Sequence, residues 1–154
     1  MRKLAPELFA KYGDRIRFLI IGPHGQLPRD FIADSRIIFT GFVEEPEAYL
    51  NASDICLAPI TEGGGLKTKT LAYMACGKPV VTTPEGAMGI GIKNGEEAII
   101  CGLDQIFNAV SELVENEELR KEMGKRARQK ALKFSWKAQA LKLLKCLEEA
   151  LRGC

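Results

Sequence analysis

Histidine is almost absent from this chain. His24 is the only one in 154 residues. A Ser-His-Asp or Cys-His nucleophilic centre would rest on that single side chain, and a histidine-rich zinc site has no second ligand. The five cysteines are an odd number and contain no C-x-x-C pair. Cys56, Cys76 and Cys101 lie in or beside apolar segments and read as small buried hydrophobes in a reducing cytosol, with Cys154 a loose thiol at the end. No metal and no cofactor is therefore expected. Charge of one sign is also lacking. The 22 basic and 20 acidic residues leave a net charge of +2, too small to point to nucleic acid or an acidic membrane. No apolar run reaches the roughly 18 residues of a transmembrane helix, and Met1 to Glu7 lack the apolar centre of a signal peptide. The expected location is the cytoplasm, with a peripheral membrane position through an acceptor or partner as the alternative. No carboxylate pair is marked for hydrolase chemistry. Repeats, low-complexity tracts and long linkers are missing too. The chain reads as one domain over 1–154, with an α/β core over 1–102 and helices of the same domain over 103–154.

What is present is an alternation of apolar runs and helical patterns, which argues for α/β with parallel strands. Arg2 to Tyr12 reads as a helix ending at Gly13. Ile16 to Ile21 is a buried strand, followed by the loop Gly22-Pro23-His24-Gly25 and a short helix over Arg29 to Ala33. Further strands are expected over Arg36–Thr40, Asp54–Ala58, Pro79–Thr82 and Ala98–Cys101. Between them, helices are expected over Glu45–Asn51 and Gly65–Ala75, the latter closed by Gly77. After Gly102 the chain turns helical: Leu103 to Val114, Glu117 to Leu132, and a last helix capped by Ser135. Trp136 is expected to anchor that last helix to the core, with Ala140, Leu143, Leu144, Leu147 and Leu151 in the same stripe.

The densest signal runs from Pro59 to Gly86. Gly63, Gly64 and Gly65 allow a ligand to approach the backbone closely, because no Cβ intervenes. A helix expected to start near Gly64 or Gly65 presents unpaired N–H groups and a positive dipole end. Lys67 and Lys69 add two full charges there. Together these suit a phosphate or diphosphate. Glu85, in Thr83-Pro84-Glu85-Gly86, reads as a turn residue.

This stretch resembles the donor-binding segment of family 4 glycosyltransferases of GT-B architecture, the glycosyl transferases of group 1. Many of them carry G-x-G-T-R-L-K-I-L-E-A-M-A-x-G-x-P-V-V. Gly63 and Gly65 fall on its glycines, Leu66-Lys67 on Thr-Arg, and Lys69 on its lysine. Leu71, Met74, Ala75, Gly77, Pro79, Val80 and Val81 fall on the rest. Gly41-Phe42-Val43, Ala52-Ser53-Asp54 and Asn94-Gly95 extend the similarity over nearly the whole chain. The resemblance implies a Rossmann-like domain that binds a nucleotide-sugar such as a UDP- or GDP-sugar. Gly63, Gly64, Gly65, Leu66, Lys67 and Lys69 would lie at the diphosphate, Phe42 and Val43 beside the base, and His24 within reach of the nucleotide. No catalytic residue is assigned.

Two departures stand out. The family's ribose-contacting glutamate falls at Ala72, next to Tyr73 where the family usually has a small residue. The family's donor half also opens with a strand and a loop whose Arg and Lys grip the diphosphate, and Met1 already falls in the helix that follows. Closing that gap gives a doubly wound, Rossmann-like sheet of about five strands in the order 2-1-3-4-5. The alternative is a vacant position between Ile16–Ile21 and Asp54–Ala58, open to a strand from a partner chain or an upstream segment. Three functional classes stay open: the donor half of a hexose-transferring enzyme, inactive without an acceptor half; a non-catalytic binding module of the same fold; and a flavodoxin-like or dinucleotide-binding domain. The last lacks G-x-G-x-x-G after the first strand.

Overall fold

The computed structural model describes residues 3–23 and 34–152. The expected helix over Arg29–Ala33, His24 and Cys154 lie outside them. Helix α1 (Leu4–Tyr12) stops at Gly13, whose φ of +57° suits glycine. Strands β1 (Phe18–Ile21) and β2 (Ile37–Gly41) follow, then α2 (Pro46–Ala52) with proline in its first turn. Next come β3 (Cys56–Ala58), α3 (Thr68–Ala75), β4 (Val80–Thr82) and β5 (Ile99–Ile100). Helices α4 (Ile106–Glu115), α5 (Glu117–Leu132) and α6 (Trp136–Arg152) close the chain. Asn116 caps α5 by accepting from the Leu119 N–H at 2.9 Å.

All strand pairs are parallel, as the alternating pattern predicts. They form two sheets, β1-β2 and β3-β4-β5, in place of one continuous 2-1-3-4-5 sheet. Within each sheet the expected neighbours pair, but among the described residues β1 makes no ladder with β3. The gap falls between Ile16–Ile21 and Asp54–Ala58, at the position the sequence left open as vacant, and side chains bridge it. Leu8 and Phe9 of α1, Phe18 of β1, Val81 of β4 and Leu113 of α4 belong to one apolar cluster that spans both sheets.

The two faces of β4 show how the layers form. Val81 enters this first cluster, while its neighbour Val80 enters a second with Cys56, Met74, Ala127 and Ala131. Successive residues of a strand face opposite sides, so helices cover both. On the second face α5 crosses the α3–β4 turn closely. A Cβ on Gly124 would lie 2.2 Å from the Gly77 carbonyl oxygen.

Helix α6 departs from expectation. None of its residues is buried, and Trp136, expected as its anchor, is 92% exposed. Ser135 does cap it, accepting from the Ala138 N–H at 3.3 Å. No helix among the described residues is long and apolar enough to cross a membrane.

Candidate functional site

Parallel strands deliver their loops to one side, at the carboxyl ends, where α/β folds bind ligands. Two such loops meet here, after β3 and after β4. The first carries Gly63 and Gly65, with φ of +123° and +72°, a region that L side chains rarely adopt. Helix α3 consequently begins at Thr68 and not at Gly64 or Gly65. No side chain caps its first turn. The Gly64, Gly65 and Leu66 N–H groups donate to no other group among the described residues. A stretch of unused amides therefore leads into a helix N-terminus.

Buried hydroxyls tie the second loop to the first. Thr82 Oγ1 donates to the Ala58 carbonyl at 2.9 Å, and Thr83 Oγ1 to the Ile60 carbonyl. Thr83 Oγ1 also accepts from the Gly86 N–H at 3.1 Å. Thr70, inside α3, donates to the Gly86 carbonyl at 2.7 Å. The turn over Glu85–Ala87 is thus fixed to both ends of the glycine loop. Sequence reading missed these threonines. Their signal was position: two consecutive hydroxyls at the end of a buried parallel strand need partners.

The two lysines part company. Lys69 is exposed on the first turn of α3 and makes no ion pair among the described residues. Lys67 is only 6% exposed. Its ammonium donates to the Gly63 carbonyl and pairs with Glu85 Oε1 at 3.1 Å. The sequence puts both lysines toward a ligand, whereas the structure turns the Lys67 ammonium inward. Glu85, read as a turn residue, is its partner.

Phe42 and Val43 follow β2, in the other sheet. Phe42 is 79% exposed and Val43 half-buried, just after Gly41 at φ +66°. The Gly22 N–H donates to the Gly41 carbonyl at 3.0 Å, which fixes that turn against the end of β1. Ala72 is exposed on α3, one turn from Thr68.

Burial pushes the Cys56 thiol up to about 12 and the Cys101 thiol upward as well, so both stay protonated near neutral pH. Among the described residues no three His, Cys, Asp or Glu side chains gather as metal ligands.

Comparison with known proteins identifies the family and the fold. The family model described as Glycosyl transferases group 1 matches residues 1–116. An uncharacterized glycosyltransferase of Methanocaldococcus jannaschii is 35% identical over 119 residues, which are 73% of this chain and 30% of that protein. The D-inositol 3-phosphate glycosyltransferase of Corynebacterium jeikeium is 37% identical over 110 residues, 69% of this chain and 26% of that one. The chain thus spans less than a third of these relatives' length. Among solved structures, the Anabaena HepE protein in complex with UDP and glucose shares the fold. Its TM-score is 0.66 at 15% identity, over 96% of this chain and 52% of that one. The matched segment holds the glycine loop, α3 and the β4 turn in one piece, and by that match the chain belongs to the glycosyl transferases group 1 family.

Proposed function

We propose that this chain is the donor-binding part of a group 1 glycosyltransferase. It seats the diphosphate of a nucleotide-sugar against Gly63–Leu66 and Lys69. The carrying observation is the run of unused amides on a positive-φ glycine loop at the start of α3. As the glycosidic bond breaks, negative charge grows on the departing diphosphate. Fixed N–H dipoles and the exposed Lys69 ammonium stabilise that charge more than the ground state. Phe42 and Val43, on the turn after β2, flank the base, and His24, outside the described residues, is assigned to the nucleotide by sequence position alone. The Anabaena complex with UDP supports the ligand class. Hexose transfer to a glycan, lipid or other acceptor needs a second half that closes over the donor.

A panel of UDP-, GDP- and ADP-sugars in a thermal-shift assay tests this. A ligand at about 100 times its Kd stabilises the fold by roughly 2.7 kcal/mol. Purified alone, the 154-residue chain is expected to bind one of these donors and to transfer sugar to no acceptor. A melting temperature unmoved by millimolar nucleotide defeats the donor-site reading, and measured transfer defeats the requirement for a second half. Ala72 favours one other reading, a binding module without catalysis, because a charged contact to ribose is absent at that position. Transfer regained on adding an acceptor half separates the two.

A further inference from the structure

The Lys67–Glu85 pair sits under the glycine loop, and its geometry bears on how that loop presents its amides. Gly63 has φ +123°, and the Lys67 ammonium lies beneath it, 3.4 Å from where a Cβ would stand. That ammonium donates to the Gly63 carbonyl and to Glu85 Oε1 together. A trans peptide unit is planar, with C=O and N–H pointing in opposite directions. Holding the Gly63 carbonyl inward therefore aims the Gly64 N–H outward, away from the protein. Glu85 is itself fixed, because its turn is bonded through Gly86 to Thr70 and Thr83. The chain of contacts runs from the β4 turn, through Glu85 and Lys67, to a single peptide plane in the loop.

We infer that Lys67 and Glu85 are positioning residues: their half-buried ion pair orients the Gly63–Gly64 peptide so that the loop's N–H groups face an incoming diphosphate. This deepens the donor-site reading and rests on it. A lysine that grips phosphate directly needs its ammonium at the surface, and that of Lys67 is turned in and already has two partners. Lys69 supplies the outward charge. The pair also has an electrostatic use. A carboxylate close to a diphosphate seat repels the ligand unless a cation neutralises it, and Lys67 does so at 3.1 Å.

The two roles give opposite signs on Glu85. If Lys67 positions the loop, Glu85→Ala loosens Lys67 and weakens binding of UDP, as Lys67→Met does. If Lys67 is a phosphate ligand, Glu85→Ala frees the cation and removes a negative charge, so UDP binds more tightly. Hydrogen–deuterium exchange of the loop, without ligand, reads the positioning independently. In the positioning role, Lys67→Met and Glu85→Ala each speed exchange of the hydrogen-bonded amides where the loop enters α3, Thr68 to the Leu66 carbonyl and Leu71 to the Lys67 carbonyl, by about tenfold or more, the order of a lost charge-assisted hydrogen bond. Lys67→Arg, which keeps the charge and can reach both acceptors, stays near the wild type. Amides of β4 monitor folding in every variant, and Glu85→Gln, nearly isosteric, replaces Glu85→Ala if that one fails to fold. Unchanged loop exchange in a folded Lys67→Met protein overturns the inference, as does tighter UDP binding by Glu85→Ala. Should the wild type bind no nucleotide, the donor-site reading falls, while the exchange rates still decide whether the pair holds the loop.

Discussion

A Cβ on Gly86 would lie 2.1 Å from Thr82 Oγ1 and 2.9 Å from the Ala58 carbonyl oxygen. Both atoms belong to the hydrogen bond that joins the ends of β3 and β4. Gly86→Ala must push that bond apart, so a loss of ~1–3 kcal/mol is expected in urea unfolding. A change within ~0.5 kcal/mol would show that the turn yields freely. A second expectation concerns acid. Side-chain and then backbone hydrogen bonds from Arg36 lower Asp34 from 3.8 to about 2. Arg36 also stacks over Phe9, 3.9 Å from the ring centroid, linking the start of β2 to α1. A lowered carboxyl stabilises the fold above its unfolded value and loses that contribution as pH falls through the folded one. Asp34→Asn is therefore expected to flatten the stability profile between about pH 4 and pH 2 while lowering stability at neutral pH. Identical acid profiles for the two proteins count against it. At this scale the sequence announced the glycine loop, because three adjacent glycines are costly without a special backbone. It did not announce the Lys67–Glu85 pair. Lys67 and Lys69 look alike as charges near a helix start, and only the late start of α3 at Thr68 leaves Lys67 outside the helix to fold back.

Leu113 and Leu143 make the same point about whole elements. Each lies on an apolar stripe of helical period, so periodicity treats them as equals. Leu113 has no exposure, within α4 against α1. Leu143 is 62% exposed on α6. Leu113→Ala is expected to cost ~2–5 kcal/mol. Leu143→Ala is expected to stay within ~0.5 kcal/mol for this chain. Thermal melts of the two variants check this, and similar losses would mean that α6 is packed. The stripe tells which face of a helix is apolar, but not whether anything covers that face. Helix positions were legible because spacing, Gly13 and Gly77, and the cap at Ser135 all agree, while the cap at Asn116 went unread. The anchoring role given to Trp136 was not, since it depends on a surface outside its own segment.

For the molecule as a whole, the sequence indicated strand direction and neighbours within each sheet. The break between the sheets falls between β1 and β3, at the position that the family resemblance left open as vacant. That break has a consequence for cooperativity. Among the described residues no ladder hydrogen bond joins β1-β2 to β3-β4-β5, so side-chain contacts in the first apolar cluster couple them. Three of the four β1 residues are only half-buried. Backbone hydrogen bonds in such a region open at a smaller free energy than those of a doubly covered strand. Native-state hydrogen exchange in rising denaturant is expected to resolve two foldons. The β1-β2 amides should open first, in a subglobal step, and the β4 amides only with global unfolding. One common isotherm for both would mean that the apolar seam alone makes the chain a single cooperative unit.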